Sequence, residues 1–196
     1  MIAVPLPADP LTLFRRWFAE AEAAEPSDAN AMTLATADAD GRPSARIVLM
    51  KDCDETGFVF YTNTLSRKGR ELAANANAHL LFHWKSVRLQ VRIDGRVEPV
   101  TSAEADAYFA QRPRASQIGA WASEQSQPLD TRATLEARFA DYDARFAGEV
   151  PRPPHWSGYR LRPARVEFWV DRRDRLHERY IYDRDGDGWS QSMQYP

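Results

Sequence analysis

The chain has 196 residues, of which 26 are basic and 28 acidic, for a formal net charge of −2 at pH 7. This length suits one domain with a sizeable core, and the balanced charge gives no broad basic surface for nucleic acid. A single cysteine, Cys53, excludes an internal disulfide and a CxxC metal site. The sequence has no apolar run of membrane-spanning length and no secretory signal, so we expect a soluble, cytoplasmic protein.

The first predicted element is a helix that begins after a proline-rich segment. Residues 1–10 are expected to be extended, with residues 1–8 flexible. Asp9 has the side chain of an N-cap, and Pro10 suits the first helical position. Apolar residues then recur at helical spacing, which predicts that the helix packs on the body of the protein: Leu11, Phe14, Phe18 and Ala21.

The chain that follows predicts antiparallel strands joined by short turns. Five apolar or β-branched runs carry this prediction, namely residues 31–37, 45–51, 58–61, 79–84 and 88–97. The second and third runs flank a polar turn at residues 52–57, so we expect them to pair as a hairpin. A short helix is expected over residues 70–76. At least five antiparallel strands favour a small closed or half-closed barrel over a parallel sheet.

The second half of the chain predicts helices followed by strands. Thr101 and Glu104 have the spacing of a capping box, which predicts a helix over residues 101–111. The later predicted elements are a short helix or turn over residues 114–123, a polar loop over 125–128, a helix over 129–146 and strands over 158–171, 175–182 and 189–195. These strands most simply complete the early sheet, so we expect residues 1–196 to form a single domain.

Cations and hydroxyls are concentrated between residues 46 and 70. The candidate phosphate ligands in this span are Arg46, Lys51, Thr62, Ser66, Arg67 and Lys68. Cations, hydroxyls and free backbone N–H groups at a helix start are the groups that bind a phosphate monoester. For any single cation, a solvated charge beside a core hairpin is the better interpretation. The convergence of four cations and two hydroxyls slightly favours a phosphate site.

Tyr108, Arg112 and Ser116 form a second candidate site for an anion. They are spaced by four residues, which places them on one face if the helix continues, although Pro113 disturbs it. An arginine and a tyrosine together can hold a second phosphate.

Three polar residues near the end of the chain, Arg175, His177 and Arg179, alternate along a predicted strand and therefore point to one face. Such residues are either solvated or line a pocket for a negatively charged ligand. The residues alone favour the solvated interpretation.

Several common sites lack support in the sequence. The run from Asp183 to Gly188 begins like a calcium-binding loop, but its twelfth position is Gln194 instead of glutamate, so a hairpin turn is the better interpretation. The four histidines lack zinc-binding spacing, and the Rossmann, P-loop and GxSxG motifs are absent. Cys53 falls in a predicted polar turn and is interpreted as an inert surface thiol.

Seven segments resemble the pyridoxamine 5′-phosphate oxidase family. They are ARIVLMK at 45–51, FYTN at 60–63, SRKGREL at 66–72, YFAQRPRASQIGAWAS at 108–123, QSQPL at 125–129, VEFW at 166–169 and RLHERYIY at 175–182. The resemblance implies an α+β, mainly β, FMN-binding split β-barrel with peripheral helices and Greek-key-like antiparallel strands. It also implies a homodimer with one FMN in each of two clefts between the subunits.

The resemblance also assigns roles to individual residues. Those implied to bind FMN are Arg46, Ile47, Val48, Leu49, Met50, Lys51, Tyr61, Thr62, Ser66, Arg67, Lys68, Gln90, Gln125, Ser126, Trp169 and Arg179. Those implied to bind a vitamin B6 phosphate are Lys51, Tyr108, Arg112, Ser116, Arg175, Leu176 and His177. Arg175 and His177 are the implied catalytic residues and are expected to lie over the pyridine ring.

The implied reaction is oxidation of pyridoxamine and pyridoxine 5′-phosphates to pyridoxal 5′-phosphate. Dioxygen is the implied acceptor, with release of hydrogen peroxide, and of ammonia from the amine. Two alternatives stay open: an oxidase of the same fold from a phenazine pathway, and a flavin- or haem-binding carrier or sensor without activity. The segment before Asp9 lacks the arginine and tyrosine that can cover the substrate in the family.

Overall fold

The computed structural model describes residues 6–196, so most of the segment expected to be flexible, residues 1–8, lies outside the described residues. The helices are α1 (Pro10–Ala24), α2 (Arg67–Ala74), α3 (Ser102–Gln111), α4 (Arg114–Ala122) and α5 (Arg132–Arg145). The strands are β1 (Ala31–Ala37), β2 (Pro43–Leu49), β3 (Asp52–Asp54), β4 (Gly57–Asn63), β5 (Asn77–Trp84), β6 (Leu89–Pro99), β7 (Trp156–Val170), β8 (Glu178–Asp185) and β9 (Gly188–Met193). Within residues 6–196, no helix has the length and apolar character needed to cross a membrane.

The strands join one antiparallel sheet in the order β2-β1-β5-β6-β7-β4-β3, with β8 pairing to β7 and β9 to β8. The long strand β7 is where the sheet divides. Its residues 156–161 pair with β4 and its residues 165–170 pair with β8, while β6 pairs along residues 159–170. The sheet therefore curls and splits at β7, and the predicted α+β split-barrel class is confirmed.

Helix α1 closes the core, as its apolar spacing predicts. The Asp9 carboxylate accepts from the backbone N–H groups of Leu11 and Thr12, which confirms the predicted cap. The ring of Phe14 meets that of Phe58 edge-on at a centroid distance of 4.8 Å. Buried aromatic pairs of this kind stabilise a fold beyond the area that they remove from water.

The predicted hairpin between residues 45–51 and 58–61 is wrong. Strand β2 pairs with β1, and β4 pairs instead with the short strand β3, inside the predicted turn. A side chain explains the tight β3–β4 turn, because Asp54 accepts from the N–H groups of Thr56 and Gly57 at 2.7 and 3.1 Å. Gly57 is required there, since a Cβ would lie 2.0 Å from the Leu161 carbonyl oxygen.

The predicted strand over residues 175–182 begins only at Glu178. Residues 173–175 form a 3-10 turn in which Asp174 and Arg175 have φ angles of 58° and 60°. Arg175, His177 and Arg179 therefore do not share one strand face, and that prediction is wrong. The backbone leaves the ladder because the N–H of Arg172 donates to the His177 ring, which closes a loop.

Smaller differences follow from caps and burial. α2 begins at Arg67 because Ser66 caps it, and α5 begins at Arg132 because Thr131 caps it.

Cys53 lies in β3 and is half-buried, so its predicted surface position is wrong. Burial raises the pKa of the Cys53 thiol to about 12, which keeps it neutral and weakly nucleophilic. The predicted turn between β8 and β9 is present at residues 185–188.

Candidate active site

A cavity of about 560 Å³ lies where β2, β4 and α2 meet the α3–α4 segment. The predicted site residues that line it are Arg46, Ile47, Val48, Leu49, Lys51, Tyr61, Thr62, Arg67, Lys68, Tyr108, Arg112, Gln125 and Ser126. Ser116 lines an adjoining cavity of about 370 Å³, which Arg112 also lines. The two predicted anion sites around Lys68 and Arg112 therefore share one depression of the surface.

Two of the predicted cofactor ligands lie beside this cavity instead of in its wall. Ser66 is buried beneath it, where it caps α2 and its hydroxyl donates to the Asn63 carbonyl oxygen. Met50 is buried and lines a different, larger cavity of about 730 Å³ beside α1. Apart from Met50, that larger cavity contains only Lys51 from the predicted site. Most of the predicted cofactor and substrate ligands therefore line the smaller cavity.

Lys68 is a buried cation in the first turn of α2. Its Nζ donates to Thr62 Oγ1, Ser66 Oγ and Gln125 Oε1, each at 3.0 Å. All three acceptors are neutral, and Lys68 has no ion-pair partner within residues 6–196. Burial and the charge of Arg46 lower the pKa of Lys68 to about 8. A cation of this kind at a helix N-terminus is prepared to receive an anion.

Glu71 lies under the cavity and holds its two arginines. One carboxylate oxygen accepts from Thr36, Ser44 and Arg46 at 2.5, 2.6 and 3.1 Å, and the other accepts from Arg67 Nε at 2.8 Å. Burial alone raises the pKa of Glu71, but these hydrogen bonds lower it to about 2. The contact to Arg67 uses only Nε, so the terminal nitrogens of that guanidinium have no ion-pair partner in the described residues.

Arg112 supplies a second cation, which is partly buried. Its guanidinium carbon lies 4.8 Å from the ring centroid of Trp156 and 5.7 Å from that of Phe109. Burial lowers the pKa of Arg112. Its Nη1 is buried and has no hydrogen-bond partner within residues 6–196. A buried donor without a partner is costly, so this nitrogen is the strongest local sign of an absent acceptor.

Tyr108, Arg112 and Ser116 do not share one continuous helix face, because the predicted interruption at Pro113 is present. α3 ends at Gln111 and α4 begins after Pro113, because proline cannot continue the helix. The three residues still lie around the linked cavities, since the second helix starts close to the first. The Tyr108 ring stacks on Tyr61 at a centroid distance of 4.1 Å, which fixes its orientation.

The other predicted site residues form a separate group on β6, β7, β8 and the loop before β8. Gln90 is opposite Trp169 in the register, and Trp169 is opposite Arg179. Arg179 is paired with Glu167 through two hydrogen bonds of 2.8 Å. None of these residues lines the cavity of Lys68 and Arg112.

Arg175, Leu176 and His177 belong to this second group. Leu176 is 71% exposed, and Arg175 is exposed without an ion-pair partner in the described part of the chain. The His177 ring lies 4.6 Å from the Trp169 ring. Within one chain, the predicted catalytic residues and the predicted phosphate ligands therefore lie in separate groups.

Sequence reasoning missed two residues that shape the cavity. Glu71 is four residues after Arg67, and this helical spacing of opposite charges could have identified it. Trp156 follows a proline-rich segment, and nothing local in the sequence indicates that its ring supports Arg112.

Two family models match the chain. The pyridoxamine 5′-phosphate oxidase model matches residues 18–146, and the pyridoxine 5′-phosphate oxidase C-terminal dimerisation region matches residues 156–196. A pyridoxine/pyridoxamine 5′-phosphate oxidase from Sphingopyxis alaskensis is 65% identical over 189 residues, which cover 96% of this chain and 88% of the relative. A relative of the same name from Gluconobacter oxydans is 56% identical and covers 98% of this chain and 97% of its own.

Two solved structures share the fold of this chain. PhzG from Burkholderia lata, in complex with tetrahydrophenazine-1-carboxylic acid, superposes with a TM-score of 0.93 at 38% identity and covers 98% of this chain and 95% of its own. A pyridoxamine 5′-phosphate oxidase-related, FMN-binding protein from Nostoc punctiforme shares the fold, with a TM-score of 0.77 at 17% identity, and covers 97% of this chain and 100% of its own. The chain belongs to the pyridoxine/pyridoxamine 5′-phosphate oxidase family, as its sequence motifs predict.

Proposed function

We propose that this protein oxidises pyridoxamine 5′-phosphate and pyridoxine 5′-phosphate to pyridoxal 5′-phosphate, with FMN as its cofactor. When bound, FMN would supply the acceptor for a hydride equivalent from the 4′ carbon of the substrate, with dioxygen as the final oxidant and hydrogen peroxide as its product. With the amine substrate, hydrolysis of the oxidised product releases ammonia. The names of relatives at 65% and 56% identity support this assignment.

The observation that carries the proposal is a buried lysine and a partly buried arginine in the linked cavities. Lys68 meets only neutral oxygens, and Arg112 has a buried nitrogen without an acceptor in the described residues. Charged groups that are withdrawn from water are normally paired, so these two cations call for two anionic groups. A phosphorylated cofactor beside a phosphorylated substrate supplies one anion for each.

The group around Lys68 fits the phosphate and ribityl chain of FMN. Thr62 and Ser66 add hydroxyls beside the lysine, and α2 adds the positive end of its dipole. Arg67 keeps its terminal nitrogens for the phosphate, because Glu71 engages Nε. Arg46 has a different role, since its guanidinium already donates to the Leu34 carbonyl, Thr36, Ser44 and Glu71. It contributes positive charge while its position stays fixed.

The group around Arg112 fits the phosphate of the substrate. Arg112 offers a planar guanidinium that is partly desolvated and supported by Trp156, so little conformational freedom is lost on binding. Tyr108 and Ser116 add hydroxyls, and Lys51 adds charge from the end of β2. These residues bind and orient the substrate and have no redox role.

The proposed active unit is a homodimer with the cofactor sites between its subunits. The match of residues 156–196 to a dimerisation region supports this assembly. A second support is that Arg175 and His177 do not line the cavity of their own chain. In the dimer, Arg175 and His177 of one copy would complete the cavity of the other. We also propose that residues 1–196 act as one domain, since β7 to β9 pair into the sheet of the earlier strands.

An anaerobic reduction experiment tests this function. Protein loaded with FMN should lose its yellow colour when pyridoxamine 5′-phosphate is added without oxygen and regain it when oxygen is admitted. Pyridoxamine without its phosphate is the matched control, and it should reduce the flavin far more slowly because Arg112 has nothing to bind. FMN-loaded protein that stays yellow with both phosphorylated substrates would contradict the proposal.

A phenazine-type oxidase is the second candidate, because the superposed PhzG chain is 38% identical and was solved with tetrahydrophenazine-1-carboxylic acid. Arg112 alone does not separate the two substrates, since a guanidinium binds a carboxylate as well as a phosphate. The names of relatives at 65% and 56% identity favour the phosphorylated substrates. The same anaerobic experiment with the phenazine decides between the two, and faster reduction by the phenazine favours the second candidate.

A further inference from the structure

The loop between β7 and β8 holds an unusual backbone conformation. Asp174 and Arg175 are consecutive non-glycine residues with φ angles of 58° and 60°. This left-handed region is unfavourable for residues with a Cβ and persists where surrounding contacts determine it. Arg175 lies within this pair, so whatever holds the loop also sets the position of its guanidinium.

Asp171 is the residue that joins the two sides of the loop. Its N–H donates to the Arg88 carbonyl oxygen at 3.1 Å, and its Oδ2 pairs with Arg88 Nε at 2.9 Å. Its other oxygen, Oδ1, lies 3.2 Å from His177 Nδ1. One carboxylate therefore contacts the turn before β6 and the histidine at the end of the loop.

His177 Nδ1 faces two groups of this loop. It lies 3.1 Å from the N–H of Arg172, from which it accepts when unprotonated, and 3.2 Å from Asp171 Oδ1, to which it donates when protonated. Either contact holds the imidazole ring in place, and the Trp169 ring lies on one side of it at a centroid distance of 4.6 Å.

A second pair closes the loop next to the first. Arg172 donates to both carboxylate oxygens of Glu178, at 2.8 and 2.9 Å, and the Tyr180 hydroxyl donates to the same carboxylate at 2.9 Å. This pair fixes the loop ends but does not contact the imidazole. Asp171 is therefore the side chain that connects loop geometry to His177.

We propose that Asp171 is a positioning residue for the oxidation, which fixes the orientation of the His177 ring through Nδ1 and keeps Arg175 in its left-handed conformation over the substrate. This inference rests on the proposed function. Asp171 does not touch the substrate in this account, and it acts through His177 and Arg175. Arg88 supports it from an exposed position, since its side chain is 72% exposed, so most of the effect belongs to Asp171.

The test compares Asp171→Ala and Asp171→Asn with Asp183→Ala in the full-length, FMN-loaded protein. Asp183 pairs with Arg165 at 2.8 Å across the same two strands, but far from the loop, so its variant is a matched control. Both Asp171 variants should slow flavin reduction by pyridoxamine 5′-phosphate about tenfold or more, because small displacements of positioning groups are costly. FMN affinity and Tm should match those of the control.

A second readout needs no activity. Amide hydrogen exchange over residues 171–177 should be about tenfold faster in FMN-free Asp171→Ala than in Asp183→Ala, because the loop loses its connection to His177. Asparagine keeps the size of Asp171 and removes its charge, so it should behave like alanine in the reduction assay.

Three outcomes decide the matter. Reduction at the unmodified rate in both Asp171 variants overturns the inference. Loss of FMN affinity or Tm beyond that of the control also overturns it, because the role is then structural. If the unmodified protein itself is not reduced, the proposed function fails, and unchanged exchange over residues 171–177 would then refute the contact between Asp171 and His177 separately.

Discussion

The Lys68–Arg112 cavity and the loop over residues 171–177 hold their cations in opposite ways. In the cavity, Lys68 is buried and Arg112 is partly buried, and hydroxyls, aromatic rings and the carboxylate of Glu71 support the site. In the loop, Arg175 is exposed, and surface ion pairs around it maintain a strained backbone. Burial fixes a group before its ligand arrives, whereas an exposed loop needs a ligand or a second copy to complete its surroundings. We therefore propose that the cavity binds the ligands and that the loop sets the reaction geometry.

The largest expected effect comes from removing the support beneath the cavity. Glu71→Ala should lower the free energy of unfolding by about 3–5 kcal/mol, since it leaves the guanidinium of Arg46 without its buried counter-charge. Urea denaturation measures the change. The control is Glu136→Ala, which breaks an exposed ion pair with Arg132 on α5 and should cost about 0–1 kcal/mol. Equal losses in the two variants would show that Glu71 is not a buried support.

Arg112→Ala should lower kcat/KM for pyridoxamine 5′-phosphate about 100-fold, because it removes a charge-assisted contact to the substrate phosphate. Turnover of pyridoxamine, which has no phosphate, should be the same in Arg112→Ala as in the unmodified protein, and FMN affinity should be unaffected. Arg145→Ala is the matched control, since Arg145 also lies over an aromatic ring, that of Phe146, but outside the cavity. An equal loss with both substrates would contradict the assignment.

Lys68→Met should weaken FMN binding about tenfold, because an uncharged chain of similar length cannot pair with the phosphate. The exposed Lys85→Met is the control. Fluorescence titration with FMN and with riboflavin measures the two affinities. Because riboflavin has no phosphate, its affinity should be the same in Lys68→Met and the unmodified protein.

The pH dependence has a definite sign. Lys68 in the FMN-free protein has a pKa of about 8, and an anion binds the protonated amine. FMN affinity should therefore be constant from pH 7 to about 8 and fall above it, while the affinity of Lys68→Met should stay flat. An unmodified protein with constant affinity up to pH 10 would refute the role of this lysine.

The smallest effect is expected in the loop. Arg88→Ala should lower the free energy of unfolding by about 0–1 kcal/mol, as expected for an exposed ion pair, and slow flavin reduction about twofold. If Arg88→Ala slowed flavin reduction more than Asp171→Ala does, Arg88 and not Asp171 would organise the loop.

The sequence predicts the parts of this molecule that depend on neighbouring residues. The caps at Asp9 and Thr101 are local hydrogen bonds, and both are present. The pairing of β2 with β1 is also local, but apolar runs lie on both sides of β2, so the sequence pattern alone leaves the choice of partner open. The left-handed backbone of Arg175 could not be predicted from the sequence either, because it depends on ion pairs that Asp171 and Glu178 make around the loop.

The candidate site follows the same division. The motifs name Lys68 and Arg112, since side-chain type and spacing indicate phosphate binding. Only the fold reveals that Arg112 Nη1 is buried without an acceptor in residues 6–196, because this depends on the packing of Trp156. Likewise, no spacing in the sequence indicates that Arg175 and Lys68 belong to separate surfaces of one chain.

Subunit complementation tests most directly whether cavity and loop act together across two copies. Arg112→Ala and Arg175→Ala proteins should each be nearly inactive. When equal amounts are mixed and the subunits exchange, about half of the dimers are mixed and each has one intact site of two, so the sample should recover about a quarter of the unmodified activity. In a mixed dimer, one site combines an intact cavity from one chain with an intact loop from the other. Activity that stays at the level of the separate variants, in samples where mixed dimers are demonstrated, would contradict the shared site.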